Sequence, residues 1–463
     1  MKRPLIWEKV TKKQKKEIMD FSKDYKNFLD VAKTEREAVE YIVKKAKENG
    51  FVEFGDVKGG KPGTRFYITN RGKNVALVVL GKKPMKETGV NIVASHIDSP
   101  RLDLKQNPLY EDKLTSLALF RTQYYGGIKK YQWASIPLAL HGTVITGKGK
   151  KVNIVIGEKE DDPVLTIPDL LPHLYRKVQA NRKLPEGIKG EEMTLLVGSI
   201  PVDDKKVKGK VKLTILDYLN RNYGMVEEDF VSAELEVVPS FRARDVGFDR
   251  SMIGAYGQDD SSSTYGSMMA IFEAKKPDIT NMALFFDKEE IGSDGNTGVK
   301  SRFVANVVAR SLSLVDEDYR DLELRELIER SRGLSADVNV GINPIFKDVH
   351  EAMNSAKMGH GIIITKYTGS GGKYSGSDAN AEFVGQIRAL FNEKNVFWQP
   401  GAFGKVDEGG GGTVAKFLAE YNMDVLDCGP AVLAMHSTFE VTSKADIWAT
   451  CRAYYHFFMM KHD

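Results

Sequence analysis

Two apolar runs in this chain lack hydrophobic–polar alternation and become ionic only at their C-terminal ends: "GVNIVASHIDSP" (89–100) and "NMALFFDKEE" (281–290). Unalternating apolar strands belong to sheets covered on both faces, and such α/β sheets bind ligands outside the carboxyl ends of their strands. "RFYITNRGKNVALVVLG" (65–81) predicts two further strands around a turn at Asn70 to Lys73. "TEREAVEYIVKKAKENG" (34–50) predicts a helix, with Thr34 and Glu37 at capping-box spacing and Gly50 as the stop. From about 106 to 241 the texture changes to short β-rich runs, "HGTVITGKG", "KVNIVIG", "KVKLTILDY" and "SAELEVVP", broken by Gly, Pro and charge clusters. The pattern predicts an α/β domain over 1–105 and 242–463, its mixed or parallel sheet flanked by helices and "YHFFMMKHD" its last helix. Residues 106–241 are expected to form an inserted, mainly β domain.

A chain of 463 residues can bury a large core. Its 67 basic against 63 acidic residues leave a net charge of +4, too dilute to attract nucleic acid or a membrane surface. The run "KKQKK" (12–16) reads as a solvated helix face. Cys428 and Cys451 are the sole cysteines, which excludes a disulfide framework and suits a reducing compartment. With no apolar leader and no span of about 20 apolar residues, the expected location is the cytoplasm.

Glu289 and Glu290 pose the chemical question, since adjacent carboxylates at a strand end repel each other unless a cation sits among them. Further ligand types stand in the order His96, Asp259 and Asp260, Glu289 and Glu290, Asp337, His436. Zinc takes imidazole nitrogen and carboxylate oxygen, and paired metals are bridged by carboxylates. One glutamate holding metal while its neighbour moves protons would account for the pair. Both reach one site only where the strand turns, and Gly292 stands where a turn is needed. Spacing leaves open whether Asp259 or Asp260 is the bridge.

"SHIDSPRLDLK", "GQDDSSS", "FDKEEIGS", "SADVNVGINP" and "GPAVLAMHSTFEVTSKADIW" resemble, in order, the motifs of the aspartyl aminopeptidase family, co-catalytic dizinc exopeptidases. The resemblance implies two divalent ions per subunit, zinc foremost with cobalt or manganese as alternatives. His96 and Asp337 would hold one, Glu290 and His436 the other, and Asp259 would bridge them. Glu289 is implied as general base and Asp98 as the residue that orients His96. The family also implies a tetrahedral dodecamer that admits peptides, assembled through the inserted domain. A histidine matched to His141 would project from that domain into the adjacent subunit's site and help bind substrate. Val340 and Asn343 stand where many family members carry histidines.

The glycine-rich stretch "KYTGSGGKYSGSDANAEF" (366–383) resembles the family's substrate loop, so Lys366 and Lys373 are candidates for attracting an acidic N-terminal side chain. It lacks the GxxxxGK[ST] pattern of a phosphate loop. Cys428, with no ordered His or Asn partner, reads as a structural thiol. The expected activity is removal of N-terminal residues from peptides. The alternatives are a dipeptidase, carboxypeptidase or deacylase of the same clan, or a non-catalytic shell-forming protein.

Overall fold

Along the strand Asn74–Val79, Val75, Leu77 and Val79 enter one hydrophobic core while Ala76 and Val78 enter another, which is why the run shows no polar alternation. Asn281–Phe286 repeats this, with Ala283 and Phe285 on one side and Met282, Leu284 and Phe286 on the other. Burying a side chain of this size contributes about 1.5–3 kcal/mol. The structure is a computed structural model describing residues 3–461. It divides into a unit comprising the chain up to Ser99, Ala243–Met435 and the residues from Phe439, and a second unit comprising Pro100–Arg242 with His436–Thr438.

Among the described residues the first unit is built on a nine-stranded mixed sheet. Its centre is four neighbouring parallel strands, Asn281–Phe286, Asn91–His96, Arg332–Ser335 and Asp424–Gly429. Asn74–Val79 and Ile362–Thr365 pair antiparallel on either side. Helices Lys12–Val31, Glu35–Glu48, Gln258–Glu273, Ala381–Glu393 and Lys444–Phe458 cover one face; Phe303–Ser313, Asp321–Glu329 and Ala415–Ala419 cover the other. The capping box at Thr34 forms: its hydroxyl accepts from the Glu37 amide at 3.4 Å, and the Glu37 carboxylate accepts from the Thr34 amide at 3.1 Å. The last helix stops at Phe458, short of the expected 463, and the final two residues lie outside the described ones. Because the central strands run the same way, the residues that follow them, His96 onward, Asp287 to Glu290 and Asp337, come to one end of the sheet.

The second unit has a six-stranded antiparallel sheet, ordered Lys151–Ile156, Leu138–Ile145, Ala233–Pro239, Arg101–Glu111, Ala118–Tyr125, Thr194–Gly198. The strand Arg101–Glu111 crosses the expected boundary at 105/106, and its pairing from Arg101↔Tyr125 onward carries Pro100 into this unit. "KVKLTILDY", expected as a strand, is helical: Lys210–Tyr223 buries Val211 and Leu219 at helical spacing, and Gly224 ends it at φ 68°. Val211, Leu213 and Ile215 imitate a strand's alternation, but Leu213 points outward and the four-residue period prevails.

Candidate metal centre

His96 ends the strand Asn91–His96 with its ring buried. Nδ1 lies 2.9 Å from the Asp98 carbonyl, so it carries the proton and Nε2 bears the lone pair. That lone pair faces Asp259 Oδ1 at 3.1 Å. Two acceptors at this distance need a proton or a metal ion between them, and two ligands of a tetrahedral zinc stand about 3.3 Å apart. Burial works against a charged imidazole here, but the Asp259 and Asp98 carboxylates outweigh it and hold the His96 pKa well above its usual value.

Both glutamates lie beyond the strand, on a single helical turn, Glu289–Ile291. The chain enters it at Lys288 (φ 68°) and leaves at Gly292 (φ 94°), so the turning point is Lys288 as well as the expected Gly292. The turn's first two amides donate to the Asp98 carboxylate: Glu289 N to Oδ1 at 3.1 Å and Glu290 N to Oδ2 at 3.2 Å. Asp98, two residues past the strand Asn91–His96, thus caps the glutamate turn as well as holding His96 through its carbonyl, a role spacing alone could not reveal. At the base of this loop Asp287 accepts from the Thr297 hydroxyl at 2.6 Å and from Lys288 Nζ at 2.9 Å.

One ligand atom each from His96, Glu289 and Glu290 lies within 4.8 Å of the others, and the same holds for His96, Asp260 and Asp337. Asp337 follows the strand Arg332–Ser335 by two residues. Desolvation, then the neighbouring carboxylates and chiefly Asp260, raises the Asp337 pKa well above the carboxylate range; burial raises that of Asp260, with Asp259 adding to it. Five acids around one imidazole are the donor set that a divalent cation satisfies, and carboxylate with imidazole suits zinc. Asp259 is held by two residues to which the sequence reading gave no role: its amide donates to Glu440 Oε2 at 3.0 Å, and its carbonyl accepts from the Ser99 hydroxyl at 3.1 Å. Asp260, set aside as the second acid of its pair, is fully buried beside them.

His436 falls in the short segment grouped with the second unit, where its Nδ1 lies 2.9 Å from the Gly127 carbonyl, which leaves Nε2 with the lone pair of the neutral ring. His141 lies within the strand Leu138–Ile145, 2% exposed, with Nε2 3.0 Å from Glu158 Oε1. The other histidine of the inserted stretch Pro100–Arg242, His173, is exposed in a segment with exposed Leu170, Leu171, Leu174 and Tyr175. Lys373 Nζ pairs with Asp378 at 2.6 Å over the Tyr367 ring, and Lys366 is exposed. Cys428 and Cys451 are buried free thiols, and burial pushes the Cys451 thiol up to about 12, which suits packing and not nucleophilic attack.

Residues 28–458 match the family described as Aminopeptidase I zinc metalloprotease (M18). A probable M18 family aminopeptidase 1 from Borrelia garinii subsp. bavariensis is 47% identical over 460 residues, covering 99% of this chain and 100% of that one. The crystal structure of an M18 aminopeptidase from Thermotoga maritima superposes with a TM-score of 0.94 at 48% identity, covering 99% of both chains. The S. cerevisiae mApe1 dodecamer shares the fold at a TM-score of 0.77 and 22% identity, covering 95% of this chain and 96% of that one. A doubly covered mixed sheet with acids and imidazole gathered at the ends of its parallel strands is the dizinc exopeptidase fold. The chain belongs to the M18 family of zinc aminopeptidases.

Proposed function

We propose that the chain removes N-terminal residues from peptides using two zinc ions, with His96 and Asp337 holding one, Glu290 and His436 the other, and Asp259 bridging. The observation that carries this reading is the grip of Asp98 on the Glu289 and Glu290 amides, which brings both carboxylates to His96. When bound, the ions supply Lewis acidity for the scissile carbonyl and the attacking water. Glu289 takes the water's proton and passes it to the leaving amine; Asp98 fixes the turn that aims Glu289 and sets the His96 tautomer. Lys373 has its own counter-charge in Asp378, so the glycine-rich loop favours acidic substrates less than the sequence alone suggests.

The assembly we propose is a closed homo-oligomer, a dodecamer as in yeast mApe1 and of tetrahedral arrangement, joined through the inserted unit. Exposed Leu170, Leu171, Leu174 and Val178 supply apolar surface for it. If a histidine of that unit completes a neighbour's site, it is His173 and not His141, because only His173 is exposed. We place the protein in the cytoplasm; its buried free thiols fit a reducing compartment, and among the described residues no helix is long and apolar enough to cross a membrane. The test is a panel of peptides with free and blocked N-termini and N-acyl amino acids, assayed after reconstitution with zinc, cobalt or manganese. Cleavage of free-N-terminus peptides alone is expected; equal turnover of N-acyl or N-blocked substrates would refute aminopeptidase action.

A further inference from the structure

A groove of about 460 Å³ lies behind the loop that carries the glutamate pair. One wall is a face of the helix Phe303–Ser313, where Arg302, Asn306 and Arg310 follow at four-residue spacing and so project from the same side. The opposite wall is the turn bearing Arg71, and the third side is Gly295 and Asn296, in the loop beyond Glu290. Asn70 joins these two sides by donating to the Asn296 carbonyl at 2.9 Å.

The groove carries three guanidinium groups, and no carboxylate lines it. None of the three arginines has an ion pair among the described residues. This sets them apart from Lys86, Arg182 and Lys288, whose cations are matched by local acids. The helix begins after Arg302, and although the Phe303 amide donates to the Ser301 hydroxyl at 3.4 Å, the helix N-terminus adds positive potential at the same wall. Guanidinium forks match phosphate oxygens in pairs. Arg302 and Arg310 are about 12 Å apart along the helix at 1.5 Å per residue, a spacing for several phosphates in a row.

We infer that this groove binds a small anion bearing two or more phosphate groups, at a site separate from the metal centre and bordered by the same loop. Inorganic polyphosphate and a nucleoside triphosphate share that chemistry, so tripolyphosphate and ATP are the two probes, with citrate as a carboxylate control. Each is titrated calorimetrically into the full-length zinc-loaded chain at physiological ionic strength. Because phosphates also meet zinc, the readout is the difference between wild type and an Arg302→Gln, Arg310→Gln double variant, in which the metal centre is unaltered. Both phosphates should bind the variant at least about tenfold more weakly, with melting temperature and zinc content unchanged, as expected for lost charge-assisted contacts. Equal affinity for the two probes would show that the phosphates alone are recognised; tighter ATP binding would show that the nucleoside adds contacts of its own. Identical binding by wild type and variant, or citrate binding as tightly as tripolyphosphate, would overturn the proposal.

Discussion

The carboxylate of Asp98 stands 3.1 Å from the amide nitrogen of Glu289, a residue 191 positions later, and its second oxygen takes the next amide. Replacing Asp98 with Asn turns one of those acceptors into an amine that faces an N–H. Activity or metal affinity should fall about 10- to 100-fold, the range typical for residues that orient metal ligands. Steady-state kinetics beside zinc analysis measures it; wild-type values for both would show that the turn needs no cap.

Glu289→Gln should keep its metal and lose about 10²- to 10⁴-fold in kcat, because an amide cannot accept the water's proton. Glu290→Ala should lose metal instead. Zinc content measured on the same preparations separates the two roles, and a Glu289→Gln enzyme with near-normal turnover would remove the general base from this residue.

For the histidines of the inserted unit the expectation is a contrast. His173→Ala should cut kcat while melting temperature and zinc stay normal. His141→Ala, which strips a buried partner from Glu158, should lower stability by about 1–3 kcal/mol. Co-expressing His173→Ala with Glu289→Gln then tests the shared site. Recovered activity in mixed oligomers identifies a residue given across subunits, and mixed oligomers as inactive as their parents exclude it.

Lys373→Met should change kcat/KM by the same factor for Asp, Glu and Leu N-termini, since the lysine is already matched by Asp378. A loss confined to the acidic substrates would restore Lys373 as a specificity residue.

Asp446 is fully buried and accepts from the amides of Gly359 at 2.6 Å and Gly361 at 2.7 Å. Burial pushes its carboxyl up to about 7, although both amide bonds pull the other way. In the unfolded chain it titrates near ~3.9. Between these values the folded chain holds the extra proton, so this contribution to stability is complete below about pH 4 and is lost as pH rises through 7. In urea unfolding of zinc-saturated protein, wild type should lose stability relative to Asp446→Asn by up to ~1.4 kcal/mol per pH unit from pH 5 to 7, then level off. A difference independent of pH would show that the carboxyl is ionised in the folded state throughout.

The main strands were legible because burial on both faces leaves one plain mark, apolar residues without alternation, and the capping box at Thr34 was legible because it is local. His96, the Asp259–Asp260 and Glu289–Glu290 pairs and Asp337 could be named as candidate ligands because few residue types hold metal and parallel strands bring their ends together; the choice within each pair came from the family resemblance. Asp98's grip on two amides could not be seen, since a backbone donor has no residue type to announce it. Glu440 and Ser99 escaped notice for the same reason: each holds Asp259 through its main chain. The proposal of His173 in place of His141 rests on exposure, which follows from whether a segment joins a sheet; "HGTVITG" does and "LLPHLYR" does not. Lys210–Tyr223 was misread because every second residue at its start is apolar, a pattern a short helix can share with a strand.

Leu102 and Val237 are neighbours in the inserted unit's sheet, which bears on how the chain assembles. Phe286 must pair with His96 in register, and the start of its strand, Asn281, lies 185 residues after His96. Once the inserted sheet has formed, the path runs 6 residues from 96 to 102 and 44 from 237 to 281, an effective loop of 50. Closing the shorter loop costs about 1 kcal/mol less, from (3/2)RT times the logarithm of the length ratio. An inserted sheet that folds first would therefore act as a splint, favouring closure several-fold, and the acids and imidazole beyond residue 241 reach His96 only once the second half of the chain has been made.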